Sequence, residues 1–288
     1  MTSDILIFTN GRATTRPAIE YGAWLGASLR TSVRLIGLDE DPSPSQIDEE
    51  THPLESVFAE AVEAFKKAGV AYQLEVQKGH AEDVIPRRVK GQDALVVLGP
   101  LGRPPLKRLW SGRSFRHIME QVAAPIIYVP QARLPLKRML VCVGGLGYGV
   151  TAENLAMKLA KLALPEVVLL TVVPPIDLNY PAAREVSENW HHLAETDTPS
   201  GRSLRQGLEI ARAEGLQASV KVRNGNVLEE ILAEVRGGSY DLLCMGSPYS
   251  SHTLRQYYTA NVTAEIAETD LVPVLTARYT RESTQVNT

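Results

Sequence analysis

The sequence predicts an α/β fold: two tandem doubly wound domains, each a five-stranded parallel sheet with helices on both faces. Three observations carry this expectation. Short apolar runs alternate with segments of helical periodicity along the whole chain, the pattern of strand–helix units that build a parallel sheet through right-handed crossovers. The order of these segments restarts at Met139, so the pattern is written twice. Of the 288 residues, 44% are hydrophobic and only 6% aromatic, with Ala, Val, Leu and Ile plentiful, which suits sheets covered by helices better than a β-sandwich. A length of about two ordinary domains agrees with two copies, although length alone leaves one large domain open.

In the first copy the run Ile5 to Phe8 reads as a strand closed by the turn pair Asn10-Gly11, and Ala18, Gly22, Leu25 and Leu29 follow at helical spacing. Val33 to Leu38 is the second strand. A loop with Pro42 and Pro44 leads to a helix from about Leu54, with Val57, Ala61 and Phe65 on one face and Gly69 placed to end it. Ala71 to Gln77 is a third strand. Lys78-Gly79 then turns into a short helix around Val84 to Val89, in which Pro86 is tolerable only in the first turn. Ala94 to Leu98 forms a buried fourth strand, a helix carries Ile118, Met119 and Val122 inward, and Pro125 leads the last strand.

The second copy repeats the order. A strand from Met139 to Val143 ends in Gly144-Gly145, and the next helix carries Leu155, Leu159 and Leu162 on one face. Val167 to Val173, a helix marked by Leu204, Leu208 and Ala211 and ended by Gly215, and Ser219 to Arg223 follow, with Asn224-Gly225-Asn226 matching Lys78-Gly79-His80. Asp241 to Gly246 matches Asp93 to Gly99 one residue shorter, and Val272-Pro273 matches Ala124-Pro125. The expected domains are residues 1–132 and 136–280. The connector Pro130 to Pro135 is too short to let them drift apart, so they are expected to pack as an intramolecular pseudo-dimer. The second copy is longer mainly by a polar, proline-rich insertion that holds His191 and His192. Long connections of this kind are lids, partner surfaces or ordered surface loops.

A net charge of −3 gives no overall case for nucleic acid or an anionic membrane. The N-terminus has neither a basic leader nor an apolar run long enough for a signal or a span, so the protein is expected in the cytoplasm. Cys142 and Cys244 lie in apolar strand-like runs and read as inert core thiols. There is no G-x-S-x-G elbow, no Walker lysine motif and no His or carboxylate pair at metal-ligand spacing, so there is little case for an enzyme.

The residues that could carry chemistry follow the fourth strand of the first copy. Gly99, Gly102 and Gly112 are spaced G-x-x-G-x9-G ahead of a helix, and Arg103, Lys107, Arg108, Arg113 and Arg116 make a local basic cluster. Glycines before a helix N-terminus let backbone N–H groups approach an anion, and the helix dipole favours negative charge there. By spacing and charge alone, the segment also reads as a solvated basic loop.

This strand order and loop resemble the universal stress protein family, whose nucleotide-binding members carry G-x-x-G-x9-G-[S/T] after the fourth strand. The resemblance spans nearly the whole chain, twice, and includes the Gly79 and Gly225 turns and the prolines before the last strands. It implies a stress-response protein that binds ATP, with Mg, or a related adenine nucleotide in copy one, with at most weak ATP hydrolysis. By this resemblance Gly99, Gly102, Gly112 and Ser114 would surround the phosphates, Arg113 would stand beside them, and Asn10 and the backbone near Leu38 would hold the adenosine. The family's usual Asp at the end of the first strand is Asn10 here and Gly144 in copy two, and its small hydroxyl residue after the third glycine is Arg113, with Ser114 next. Copy two puts Tyr249 at the second glycine and Thr259 at the third, so no ATP is expected there. Its Gly147, Gly149 and Ala152 fit a dinucleotide fingerprint, but the second strand runs into Pro174-Pro175 with no carboxylate for a ribose. The alternative function is a protein-interaction module of the same fold without nucleotide, using the paired copies and the insertion; a homodimer of the whole chain stays open.

Overall fold

A computed structural model describes residues 4–40, 53–101, 114–144, 149–175, 186, 188–247 and 261–278. Copy one runs β1 (Asp4–Thr9), α1 (Arg16–Leu29), β2 (Val33–Asp39), α2 (Pro53–Ala68), β3 (Tyr72–Lys78), α3 (Ala81–Val89), β4 (Ala94–Leu98), α4 (Ser114–Gln121) and β5 (Ile126–Tyr128). Copy two repeats this as β6 (Arg138–Cys142), α5 (Val150–Ala163), β7 (Glu166–Val173), α6 (Pro199–Ala213), β8 (Ala218–Asn224), α7 (Val227–Gly238), β9 (Leu242–Gly246), α8 (Val262–Ala267) and β10 (Val274–Ala277). The repeat extends to the way helices stop: α1 and α5 end on left-handed residues, Arg30 and Leu164, while Gly69 and Gly215 follow α2 and α6 with φ of 67° and 72°.

Each copy is doubly wound, as expected, with its strands in the order third, second, first, fourth, fifth, but the two sheets are one. The ten strands run β3-β2-β1-β4-β5-β10-β9-β6-β7-β8. Every pairing within a copy is parallel, and β5 meets β10 antiparallel, Ile127 opposite Leu275. The strand ends of the two copies therefore point to opposite edges of the sheet.

The register fixes which residues are equivalent. Ile5 faces Val33 and Met139 faces Val167, so Asn10 corresponds to Gly144 and Ile19 to Glu153. Ile5 also faces Leu95 as Met139 faces Leu242, which aligns Gly99 with Gly246.

Strands covered on both faces bury nearly every side chain, and two apolar layers result. Against one face lie α1, α2, α5 and α6, through residues such as Leu25, Phe65, Met157 and Leu204; against the other lie α3, α4, α7 and α8, through Ile85, Ile118, Val235 and Ile266. The inward faces of α2 and α4 are those the periodicity predicts. Two helices differ. α3 starts at Ala81, so Pro86 sits in mid-helix, not in the first turn, and one backbone bond is forgone there. In α5 the buried positions are Ala152, Glu153, Ala156, Met157, Leu159 and Ala160, while Leu155 and Leu162 are only half-buried: small residues face the sheet because the helix lies close to it.

Part of the copy-two insertion is fastened down. Residues Trp190–Glu195 form a short 3₁₀ segment with His191 and His192 exposed. Arg205 holds it by donating to the carbonyls of Ala194 (2.7 Å) and Thr196 (2.6 Å). It borders Val220 and Val222 of β8. Their counterparts on β3, Leu74 and Val76, are 37% and 54% exposed.

Polar ties close the seam between copies. Arg133 in the connector donates to the carbonyls of Tyr240 (2.6 Å) and Leu271 (2.8 Å), the Tyr128 hydroxyl donates to Asp270 Oδ1 (2.9 Å), and Arg116 pairs with Glu265 at 3.3 Å. Both apolar layers cross it unbroken, one containing Ile127 with Leu275 and the other Ile126 with Val274. A sheet and core shared in this way should melt as one unit. Urea denaturation followed by circular dichroism and by tryptophan fluorescence is expected to give one coincident transition. Arg133→Ala should lower the stability by about 1–3 kcal/mol, because two carbonyls lose a charged donor.

Candidate functional site

In an open sheet with parallel strands, a crevice forms where neighbouring connections leave in opposite directions, at the carboxyl ends of the strands. In copy one that switch point lies between β1 and β4, since the chain passes from β1 to β2 on one side and β4 pairs on the other. The crevice is framed by Asn10-Gly11 after β1, Asp39-Glu40 at the end of β2 and Gly99-Pro100-Leu101 after β4.

Asn10 ties these three ends together. Its side-chain amide donates to the carbonyl of Leu101 at 2.9 Å and to Glu40 Oε2 at 3.3 Å. Glu40 uses its other oxygen to accept the Ala81 N–H at 3.0 Å, which caps α3 and places a carboxylate at the positive end of that helix. Behind Asn10 the turn into α1 is held by Thr9 and Thr15, whose hydroxyls lie 2.5 Å apart, and by Thr15 Oγ1 donating to the Arg12 carbonyl at 2.7 Å. Gly11 is required in this turn: its φ is +78°, and a Cβ would lie 2.9 Å from Pro53.

The sequence-predicted residues fall as follows. Asn10 is half-buried in the crevice. Leu38 has its side chain in the core, 1% exposed. Pairing of β2 with β1 stops at Gly37 and Thr9, while Leu38 and Asp39 continue with β3 alone, so the backbone at Leu38 stands at the crevice wall. Gly99 is buried, and a Cβ there would meet the carbonyl oxygens of Thr14 at 2.9 Å and Val129 at 3.2 Å. The protein's own backbone thus accounts for its being glycine. Gly102, Gly112 and Arg113 lie outside the described residues, and Ser114 is the first residue of α4. The loop carrying the glycines thus leaves the sheet at the crevice and returns at the start of α4. Glu40 was not expected from the sequence; an acid directly after a strand and before Pro42 has no distinguishing pattern.

The corresponding crevice in copy two is built differently. Gly144 stands for Asn10 with nothing within 4 Å of where its Cβ would be, and Pro174 stands for Glu40, so both partners of the clasp are missing. Thr171 donates to the Val143 carbonyl at 2.9 Å and Thr263 to that of Gly246 at 3.1 Å, closing the strand ends with hydroxyls. Tyr249 and Thr259 lie outside the described residues, as does Gly147 of the dinucleotide fingerprint. Burial pushes the Cys142 thiol up to about 12, with the nearby Glu153 adding to it, and burial likewise raises Cys244. A thiol so raised is a poor nucleophile, in keeping with the reading of both as inert. Among the described residues no group of three His, Cys, Asp or Glu could hold a metal, and no helix is long and apolar enough to cross a membrane.

The model of the universal stress protein family matches residues 135–278, half of the chain and the whole described part of copy two. The chain belongs to the universal stress protein family. Among solved structures, a universal stress protein from Archaeoglobus fulgidus is similar with a TM-score of 0.67 and 15% identity, covering 98% of each chain. A protein from Pseudomonas aeruginosa assigned to the same family has a TM-score of 0.65 and 12% identity, covering 96% of this chain and 93% of its own. Likeness at such identities concerns the fold, and it extends over both copies. A search among curated proteins finds no match.

The clasp explains why this family member carries Asn rather than Asp at position 10. The amide must donate to two acceptors, and a carboxylate would face the Glu40 carboxylate and the Leu101 carbonyl instead. Asn10→Asp is therefore expected to destabilise the protein by about 1–3 kcal/mol near neutral pH, read from the urea midpoint at unchanged slope. A variant as stable as the parent would remove the clasp from the account.

Proposed function

We propose that this universal stress protein is a cytoplasmic stress-response protein that binds ATP or a related adenine nucleotide in the crevice of copy one. The observation that carries the reading is the exit of the Gly99 to Arg113 loop from the switch point between β1 and β4 and its return at the N-terminus of α4. Gly102 and Gly112 would let backbone N–H groups reach the phosphates. Ser114, Arg113 and the neighbouring cations Arg103, Lys107 and Arg108 would supply a hydroxyl and positive charge. The Asn10 Oδ1, the Glu40 carboxylate and the free side of the backbone at Leu38 offer hydrogen-bonding groups to the adenosine end, while both N–H groups of Asn10 stay in the clasp.

Gly99 serves this site by letting the strand end pack against Thr14 and Val129. Glu40 already accepts two hydrogen bonds, and among the described residues no group of three His, Cys, Asp or Glu stands with it, so Mg would arrive on the triphosphate. Copy two, with neither clasp nor loop glycines, is assigned to bracing the shared sheet.

Heating the purified protein and analysing the released small molecules by mass spectrometry tests the reading. An adenine nucleotide is expected in the supernatant, and ATP should bind the emptied protein in a calorimeter. Neither release nor binding would refute it and leave the protein-interaction reading, for which a partner lost on deletion of residues 177–200 would be the support. Gly102→Val should abolish nucleotide retention with the unfolding midpoint unchanged, because a side chain there denies the phosphate its approach to the backbone.

A further inference from the structure

Copy two replaces one core residue of copy one with an acid. Ile19 in α1 is 4% exposed, and its counterpart in α5, Glu153, is 5% exposed. The two stand at the same place in equal-length helices, in the first turns after the β1 and β6 crevices. Glu153 Oε1 lies against Gly149, the N-cap of α5, only 2.7 Å from where a Cβ on that glycine would sit. Its carboxyl makes no hydrogen bond and no ion pair among the described residues.

The elements packed on α5 are β6, β9, β10 and α6. β6 brings the Cys142 thiol and β9 the Cys244 thiol, while β10 has no ionisable side chain. On α6, Arg202 and Arg205 are taken by Asp197 and by the carbonyls of Ala194, Thr196 and Asp197, and Glu214 just beyond it pairs with Lys161 at the far end of α5. Glu209 and Arg212 of α6 and Lys158 of α5 itself give Glu153 no partner either. Among the described residues only the N-terminal dipole of α5 favours a negative charge at this point, and burial outweighs it, so the carboxyl keeps its proton.

We propose that Glu153 makes the first turn of α5 a pH-responsive element, closed over the copy-two crevice when the carboxyl is protonated and opened when it ionises. Burial pushes this carboxyl up from 4.5 to about 7, which places the change at neutral pH. The sign follows from proton linkage. The closed state binds the proton more tightly than the opened one, so closure is complete below about 4.5 and weakens as pH rises through about 7, after which it levels off. Copy one has no such dependence at this position, because Ile19 carries no charge.

Amide hydrogen exchange of Glu153, whose N–H donates to the Gly149 carbonyl at 2.9 Å, and of Asn154 next to it, measured in the full chain and corrected for the intrinsic rate, reads the opening directly. From about pH 5 to about pH 8 the opening equilibrium should rise on the order of a hundredfold in the parent protein. In Glu153→Gln, and in Glu153→Ile, which restores the copy-one residue, it should change by less than about threefold over the same range. A flat profile in the parent, or the same rise in the variants, overturns the proposal. Carbon NMR of the labelled Glu153 carboxyl gives a second reading that needs no variant: a midpoint near neutral supports the proposal, and one in the ordinary carboxylate range overturns it.

Discussion

Three residue pairs, Ile126 with Thr276, Ile127 with Leu275 and Tyr128 with Val274, join the two copies into one sheet. So short a ladder supplies few hydrogen bonds, and its effect comes from what it aligns. Once β5 and β10 lie side by side, the apolar layer on each face continues from one copy into the other, so each copy covers an edge strand that would otherwise be open to pairing with another chain. Arg133, Tyr128 and Arg116 then satisfy carbonyls and carboxylates at the margin of this contact. The same pairing sends the two crevices to opposite edges of the sheet, which leaves each to diverge on its own.

They have diverged through a few residues on a common frame. In copy one, Asn10 and Glu40 bind the ends of β1, β2 and β4 together and face the crevice with polar groups. In copy two, Gly144 and Pro174 occupy those places, and the polar group has moved beneath the surface to Glu153, in a slot that copy one fills with Ile19. The family pattern matches copy two, the copy that has lost the loop glycines. Membership in the family is therefore carried by the strands and helices and not by the loop glycines.

Much of the fold was legible in the sequence because burial on both faces of a parallel strand demands continuous apolar runs, and helices on such a sheet show their inward face as a stripe. Val57, Ala61 and Phe65 are an instance, as are Ile118, Met119 and Val122. What could not be read was long-range or concealed by small residues. β5 and β10 are too short to announce a pairing partner in the opposite half. Periodicity puts the stripe of α5 on its leucines, yet the closely packed face is set by Ala152, Ala156 and Ala160, and Glu153 lies within it. Pro86 suggested a later start for α3 than Ala81, where the Glu40 cap begins the helix. In the site, Asn10 stood out by its place after the first strand, whereas Glu40 matters only through a hydrogen bond made across the sheet.

The central claim, that the first copy holds the nucleotide and the second braces it, is tested most directly by photoaffinity labelling of the intact chain with an azido-adenine nucleotide, followed by peptide mapping. Labelled peptides are predicted within residues 1–132, suppressed by excess unlabelled ATP. Label within residues 136–280, or label that excess ATP does not suppress, would contradict it.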